Sequence, residues 1–138
     1  MIQRKTLFVY GTLMKGLMWS PLLDLYPYLG PATLLDEGSL VLLKGTQHPI
    51  PALDQDIPET GVVGELYRVP LKMLENHFDL FEGGAGYCRV TMMALLAGKS
   101  KPVEVEVYIY GLSTTGLERI GGDFRAYLRG RENGQTTE

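Results

Sequence analysis

The most constraining feature of this sequence is a pair of long segments near its carboxyl-terminal end that both have the composition of β-strands. Residues 86–97 and 102–110 follow each other closely along the chain. The second segment alternates between two sets of side chains: Val103, Val105, Val107 and Ile109 on one side, and Glu104, Glu106, Tyr108 and Tyr110 on the other. Such alternation predicts an antiparallel pair with one face in the core and one wetter face.

Shorter strands are predicted earlier in the chain. Residues 6–10 are β-branched and aromatic and stop at Gly11, and residues 61–69 form a second strand. Gly64 within that strand marks a bulge or a close approach of another backbone. Residues 30–45 hold two apolar stretches split by a turn-like Asp-Glu-Gly, which predicts a hairpin or a bent strand. The proline-rich residues 45–61 predict an ordered surface loop.

Helical spacing is clearest after Pro70. Leu71, Leu74, Phe78 and Phe81 recur on one face, and Gly83-Gly84 then supplies the left-handed conformation that closes a helix. Shorter helices are predicted from Ser20-Pro21 to about residue 27 and over residues 123–128.

The order of these elements predicts an α+β fold with one main helix, short flanking helices and a strongly bent, barrel-like sheet of mixed or antiparallel strands. Residues 1–130 form one domain, and the polar residues 131–138 form a tail that we expect to be disordered. At 138 residues and 45% hydrophobic content, such a domain needs no metal or disulfide to stabilise it.

Charge and composition exclude several function classes. A net charge of −3 gives no basic field for a phosphate backbone, so we expect small-molecule partners and no nucleic acid. No apolar run is long enough for a membrane span or a signal segment, and a single cysteine permits no internal disulfide. We therefore expect a soluble cytoplasmic protein in which Cys88 is a buried structural thiol.

Glu82 is the most informative charged residue. It stands at the predicted end of the main helix, one turn after Asp79, and both the negative helix end and the like charge raise a carboxyl pKa. A raised pKa suits a general acid or base near neutral pH, although an ordinary solvated glutamate fits the same pattern.

Gly11 to Gly16 have the glycine spacing of a phosphate loop, but Leu17-Met18 replace the lysine and hydroxyl residue that phosphate and magnesium require. What remains is a strand that ends in Tyr-Gly, either as a tight turn or as a set of backbone amides that converge on an anion. His48 and His77 lack metal-ligand spacing, so no metal site is predicted. Arg89 is expected to pair with a carboxylate near the sheet surface.

These segments together resemble a known family. LFVYGTL at 7–13, HPIPAL at 48–53, GELYRV at 64–69, FDLFEGGAGYCRV at 78–90 and VEVYIY at 105–110 are similar, in this order, to the gamma-glutamylcyclotransferase-like superfamily, and in particular to its gamma-glutamylamine cyclotransferase branch. The most specific part is Glu82-Gly83 followed by Tyr87 and Arg89. The resemblance implies a small β-barrel flanked by helices and an enzyme that releases 5-oxoproline from γ-glutamyl compounds without a cofactor.

The resemblance also implies roles for individual residues. Tyr10, Gly11, Thr12 and Leu13 would hold the glutamyl α-carboxylate through backbone amides, and Glu82 would be the general acid/base. Tyr87 would orient Glu82 or the substrate, or else pack in the sheet.

Leu17-Met18-Trp19 are more apolar than the stretch that follows this loop in the family branch. This composition favours a bulky or apolar leaving group or a covered partner surface. A noncatalytic module that binds a small acidic metabolite and an interaction module that uses Trp19 remain alternatives, and the sequence leaves the oligomeric state open.

Overall fold

The structure, a computed structural model, describes residues 2–134. Its strands are β1 (Arg4–Val9), β2 (Tyr28–Leu34), β3 (Ser39–Leu42), β4 (Pro51–Asp54), β5 (Val63–Pro70), β6 (Tyr87–Leu96), β7 (Val103–Tyr110) and β8 (Glu118–Gly121). A 3₁₀ helix spans Ser20–Leu23, and a continuous helical stretch contains α1 (Leu71–Met73), a π-helical turn (Leu74–Phe78) and α2 (Asp79–Gly84). Helix α3 (Phe124–Gly134) follows the last strand.

Five strands form a closed barrel in the order β1-β5-β2-β6-β7. The β1–β5, β5–β2, β2–β6 and β6–β7 pairs are antiparallel, and a parallel contact between β1 and β7 closes the ring. The predicted α+β fold with a mixed, barrel-like sheet is therefore confirmed. The other three strands form a second sheet in the order β4-β3-β8.

The β6–β7 pair lies where the sequence predicts it, in continuous register from Tyr87↔Tyr110 to Ala94↔Val103. The expectation of one wetter face on β7 is wrong, however, because Glu106 and Tyr108 are buried along with Val105, Val107 and Ile109. Packing of other elements against this face, together with the ion pair between Glu106 and Arg89, makes burial of the polar side chains possible.

Residues 30–45 do not form the expected hairpin or bent strand. Their two apolar stretches become β2 and β3, which pair with different neighbours in different sheets. The expected surface loop at 45–61 is also partly wrong, because β4 lies within it and buries Ala52 and Leu53 completely. A proline is tolerated there because Pro51 is the first residue of the strand.

Gly64 allows β5 to approach β1, its neighbour in the barrel, closely. A Cβ atom at this position would clash with the carbonyl oxygen of Val9 and would lie 2.7 Å from the Phe8 ring. The sequence prediction that another backbone comes close at Gly64 is therefore confirmed. This contact brings β5 against the end of β1, where the loop that follows β1 begins.

The main helix is interrupted by its π-helical turn. Leu74 and Phe78 are buried as predicted, but Phe81 is 55% exposed. A π turn contains more residues than an α turn, so it rotates the following residues away from the face on which they would otherwise lie. Gly83 and Gly84 belong to α2, and Gly86 instead takes the left-handed conformation, with φ of 97°.

Helix α3 is longer than predicted at its carboxyl-terminal end. It continues from Phe124 to Gly134 and so includes the first four residues of the expected tail, while residues 135–138 lie outside the described residues. Phe124 is buried in the main core and stacks on Tyr127. No helix within residues 2–134 is long and apolar enough to cross a membrane.

Candidate active site

A cavity of about 140 Å³ opens where β1 runs into its following loop. Strand β1 and that loop, helix α2, the segment before β4, and strands β6 and β7 all contribute to its wall. The lining residues are Phe8, Val9, Tyr10, Gly11, Thr12, Leu13, Trp19, Ile50, Pro51, Phe81, Glu82, Ala85, Tyr87 and Tyr108. The cavity thus gathers all six residues that the family resemblance singles out.

Glu82 is the acidic residue of this cavity. Burial raises the pKa of its carboxyl from 4.5 to about 7. The direction of this shift agrees with the sequence prediction, but the cause is different: neither Asp79 nor the helix end produces it. Among the described residues none donates a hydrogen bond to the Glu82 carboxyl, so its oxygens remain available to a molecule in the cavity.

Three tyrosines surround Glu82, and each hydroxyl group already donates to another acceptor. Tyr10 donates to the Tyr108 carbonyl at 2.6 Å, Tyr87 donates to the Pro51 carbonyl at 2.8 Å, and Tyr108 donates to Asp79 Oδ1 at 2.6 Å. Burial is the largest cause that raises the pKa of all three, and the nearby Glu82 charge adds to it. The tyrosines therefore give the cavity a neutral, low-dielectric wall.

Residues 10–13, which we call the substrate loop, form another part of the cavity wall. The loop is closed by hydrogen bonds from the Met14 amide to the Gly11 carbonyl at 3.0 Å and from the Trp19 amide to the Thr12 carbonyl at 2.8 Å. Within residues 2–134, no acceptor receives a hydrogen bond from the amides of Gly11, Thr12 or Leu13. Free amides that line a cavity are able to bind an anion such as a carboxylate.

Glu65 on β5 anchors the chain just after the substrate loop. The buried Glu65 carboxylate accepts a hydrogen bond from the Lys15 amide at 2.7 Å and forms an ion pair with Arg125 of α3 at 2.9 Å. Arg125 also donates to the Lys15 carbonyl at 2.6 Å. Both backbone groups of Lys15 are therefore held by charged side chains.

Helix α2 is held on the barrel by a second charged cluster, which we call the α2 clamp: Asp79, Arg89, Glu106 and Tyr108. Arg89 binds both oxygens of Asp79, at 2.9 and 3.1 Å, and also donates to Glu106 at 2.5 Å. Burial favours a raised pKa for Asp79, but the hydrogen bonds from Arg89 and Tyr108 outweigh it and hold that pKa below its usual value. Asp79 is one helical turn before Glu82, so the clamp fixes the turn that carries Glu82.

The predicted site residues differ in how they contribute. Gly11, Thr12 and Leu13 offer backbone amides, whereas the Tyr10 side chain points into the core and accepts a hydrogen bond from the Leu53 amide. The pairing of Arg89 with carboxylates is confirmed. The expectation that Cys88 is buried is wrong, since its thiol is exposed on β6.

Sequence analysis did not place Phe81, Ile50 or Pro51 in the site. Phe81 had been assigned to the core by its helical spacing, and Ile50 and Pro51 come from a segment whose strand was not recognised. Trp19 was noted as unusual, and the structure places it at the cavity mouth beside Phe81, with ring centroids 6.2 Å apart. In the part of the chain that the structure describes, no group of three or more His, Cys, Asp or Glu side chains is placed to hold a metal ion.

Comparison with known proteins gives this cavity a context. The sequence profile of the family described as gamma-glutamyl cyclotransferase, AIG2-like, matches residues 7–126, which include every residue of the cavity wall. Among curated proteins, none matches the chain.

Solved structures share the fold at low sequence identity. An AIG2-like protein from Mus musculus is 24% identical with a TM-score of 0.72, and the match covers 86% of each chain. An uncharacterized protein from Pyrococcus horikoshii is 21% identical with a TM-score of 0.68, covering 94% of this chain and 98% of that one. A structure named gamma-glutamyl cyclotransferase is 14% identical with a TM-score of 0.62, covering 85% of this chain and 70% of that one.

Proposed function

Because this chain belongs to the gamma-glutamyl cyclotransferase, AIG2-like family, we propose that it is an enzyme that cyclises a small γ-glutamyl compound to 5-oxoproline and releases the attached amine. Family membership supports the reaction class, but a fold does not determine its chemistry, so the proposal rests on the cavity itself. The observation that carries it is the presence, in one cavity, of a carboxyl with a pKa raised to about 7 and a loop with free amides.

In this proposal the substrate loop binds the α-carboxylate of the glutamyl group. The amides of Gly11, Thr12 and Leu13 donate to its oxygens, which anchors one end of a flexible chain. Fixing that end lets the α-amino group meet the γ-carbonyl carbon, and fixed orientation of two reacting groups is worth up to about 7–11 kcal/mol of an activation barrier.

Glu82 acts as the general acid/base. Its carboxylate takes a proton from the substrate α-ammonium group, and the freed nitrogen attacks the γ-carbonyl carbon to form the new C–N bond of the five-membered lactam. Glu82 then returns the proton to the departing nitrogen as the original C–N amide bond breaks. The ring nitrogen gives up its second proton, again through the Glu82 carboxylate, to the released amine, which leaves as an ammonium ion while the lactam keeps one N–H. The proton transfer is nearly balanced, because an α-amino group titrates near pH 8 and the Glu82 carboxyl near 7.

The test of this proposal is 5-oxoproline release by the unmodified protein and by Glu82→Gln, over a panel of γ-glutamyl amides and γ-glutamyl amino acids. We expect Glu82→Gln to lower kcat by roughly 10²–10⁴-fold, the range typical of general acid–base catalysis. Glu75→Gln is the matched control, because Glu75 is exposed on the same helical stretch and lies outside the cavity.

Equal activity in the two proteins would contradict the role of Glu82. If neither protein forms product while γ-glutamyl compounds raise the Tm of both equally, the chain is instead a binding module that uses the same free amides. The observation that favours this second function is that the amides of Gly11, Thr12 and Leu13 have no recorded acceptor within residues 2–134, so binding of an anion by them does not depend on Glu82.

A further inference from the structure

A second cavity, of about 230 Å³, opens between β2, the start of β5 and helix α3, and we call it the α3 cavity. It shares no lining residue with the candidate active site, and the proposed reaction uses none of its side chains. Four of its lining side chains are charged: Glu65, Asp123, Arg125 and Arg129. The α3 cavity is therefore more strongly charged than the candidate active site.

The charged side chains of the α3 cavity are only half paired. Glu65 and Arg125 form an ion pair at 2.9 Å. Asp123 Oδ1 accepts a hydrogen bond from the Ala126 amide, while Oδ2 accepts none from residues 2–134. Arg129 is exposed and takes part in no ion pair or hydrogen bond within the same residues. The wall thus presents one unpaired positive charge and one unpaired negative charge to the same space.

Arg125 has donors to spare. Its Nη2 donates to Glu65 and to the Lys15 carbonyl, whereas Nε and Nη1 donate to no described residue. Arg129 follows one helical turn later, so the two guanidinium groups lie on one face of α3. Like charges at this spacing repel each other. A carboxylate bound between them removes that repulsion and accepts hydrogen bonds from both.

Another guanidinium of this protein already binds two carboxylates. Arg89 pairs with Asp79 and with Glu106 at the same time. Arg125 carries a single carboxylate, that of Glu65, and it can therefore take a second one without giving up the first.

The rest of the wall determines which kind of carboxylate fits. Two arginines and two carboxylates give the wall no net charge, and a simple anion would meet Asp123 as a like charge. An α-amino acid has a carboxylate for the arginines and an ammonium group for the free Oδ2 of Asp123. Its side chain would lie against the apolar part of the wall, which includes Ala32, Val63 and Ala97.

We propose that the α3 cavity binds a free α-amino acid with an apolar side chain, as a ligand distinct from the substrate. Its carboxylate binds Arg125 and Arg129, and its ammonium group binds Asp123. Because Arg125 also donates to the Lys15 carbonyl, two positions after the substrate loop, an occupied cavity restricts Arg125 and steadies that loop. The amino acid is therefore an activator. Activation rests on the proposed function, whereas the binding itself does not.

L-Leucine and two analogues test the two charges of the ligand. 4-Methylpentanoate lacks the ammonium group, 3-methylbutylamine lacks the carboxylate, and both keep the branched side chain. Binding is measured by isothermal titration calorimetry and by the shift in Tm. We expect L-leucine at about ten times its Kd to raise Tm by roughly 3–6 °C. Each analogue should bind at least roughly tenfold more weakly, because a hydrogen bond between charged groups is worth about that factor.

Variants locate the binding. Arg129→Ala and Asp123→Asn should each raise the Kd for L-leucine at least roughly tenfold. Asn caps a helix as well as Asp, so Asp123→Asn keeps the hydrogen bond from the Ala126 amide. Arg131→Ala is the matched control, because Arg131 is an exposed arginine of the same helix outside the cavity. Glu82→Gln should also leave the Kd unchanged, which separates this site from the candidate active site.

Several outcomes would overturn the inference. They are an absence of L-leucine binding, an unchanged Kd in both cavity variants, and equal binding of L-leucine and 4-methylpentanoate, which would indicate a site for anions alone. A Kd that rises in Glu82→Gln would place the amino acid in the candidate active site and overturns the inference as well.

Kinetics test the activation. Saturating L-leucine should lower KM for a γ-glutamyl substrate several-fold in the unmodified protein, and this effect should be lost in Arg129→Ala. Binding of L-leucine with an unchanged or raised KM overturns the activation. If no γ-glutamyl compound is turned over at all, the proposed function fails, and the calorimetric result still decides whether the α3 cavity binds an amino acid.

Discussion

The Glu82 carboxyl lies in a cavity that favours its protonated form. In the unfolded chain this group titrates near its ordinary value of 4.5, and in the folded protein burial moves the pKa to about 7. Below pH 4.5 both states are protonated, and the folded state incurs no penalty. Between pH 4.5 and 7 the unfolded chain ionises this group while the folded protein keeps it protonated, so the free energy of unfolding falls over this interval and levels off above pH 7.

We therefore expect Glu82→Gln to be more stable than the unmodified protein at pH 8, by at most about 3 kcal/mol, because a shift of one pKa unit corresponds to about 1.4 kcal/mol. The difference should disappear as the pH approaches 4. The measurement is denaturant unfolding of both proteins at a series of pH values between 4 and 8.

Glu75→Gln again serves as the control, since this exposed side chain should give a difference that is small at every pH. A Glu82→Gln protein that is less stable than the parent at pH 8 would show that the carboxylate has a stabilising partner, which contradicts burial as the cause of the shift.

For Glu82 the sequence predicted the direction of the pKa shift, but not its cause. The spacing of Asp79 and Glu82 is visible in the sequence, whereas Arg89 and Tyr108, which neutralise Asp79, come from strands that only the fold brings to it. Cys88 illustrates the same point. Its apolar neighbours predicted burial, but it is the second residue of β6 and is exposed there, although Met92 and Ala94 further along the same face of the strand are buried.

Helix α2 contains two turns at most, so its own backbone hydrogen bonds contribute little to its position. The α2 clamp supplies that position through side chains of β6 and β7. Arg89 is central to the clamp because its guanidinium binds both oxygens of Asp79 and still reaches Glu106. A lysine offers a charge but no such fork.

Arg89→Lys should therefore lower kcat by about tenfold while KM changes little, because the glutamyl group still binds to the substrate loop while Glu82 is less well placed. The measurement is a complete kinetic analysis of 5-oxoproline release at a temperature well below the Tm of the variant. Partial unfolding of the variant would also lower the apparent kcat. The rate is therefore divided by the fraction of folded protein, so that the remaining decrease in kcat reports the position of Glu82.

Arg68→Lys is the matched control, because Arg68 is an exposed arginine on β5 that donates to Thr6 and takes no part in the clamp. An Arg89→Lys protein with unchanged kcat and a raised KM would show that the clamp shapes the binding surface instead of the acid/base.

Elements with strong periodicity were predicted well, and elements that depend on tertiary pairing were not. The β6–β7 pair and the burial of Leu74 and Phe78 follow from spacing alone. Strand β4 was missed because Pro51 begins it and Pro49 lies just before it, and the strand forms through its pairing with β3. The π-helical turn was missed because no residue type in the sequence is diagnostic of it. Its effect is to place Phe81 at the cavity mouth.

Across the whole molecule, residues that are far apart in the sequence meet next to the substrate loop. Arg125 of α3 donates to the Lys15 carbonyl, although 110 positions separate the two residues in the sequence, and it also pairs with Glu65 of β5. Helix α3 therefore anchors the residue Lys15, two positions after the substrate loop. The substrate loop is thus anchored by Glu65 and Arg125, and α2 is anchored by the α2 clamp.

Arg125→Ala should raise KM for γ-glutamyl substrates several-fold and leave kcat nearly unchanged, because a looser loop pays an ordering cost when its amides bind the carboxylate. This pattern is the reverse of that expected for Arg89→Lys. Arg131→Ala, which removes an exposed arginine from the same helix, is the control. A lower kcat with unchanged KM in Arg125→Ala would contradict a role confined to binding.

The barrel class could be predicted from the order and length of the strands, whereas the closing contact could not. Strand β1 pairs with β7 in parallel through Leu7↔Glu106 and Phe8↔Val107, and nothing in either segment specifies its partner. The assignment of β2 and β3 to different sheets is equally invisible in the turn-like sequence that joins them.

The parallel contact between β1 and β7 also sets an order of events during synthesis. The first strand, which leads into the substrate loop, leaves the ribosome long before residues 103–110, so the ring has no closing partner until most of the chain has emerged. Contacts between such distant segments form late, because the intervening chain must lose much of its freedom first. We therefore expect a nascent chain that ends before β7 to have an open barrel and an incomplete cavity wall, because Tyr108 of β7 is part of that wall.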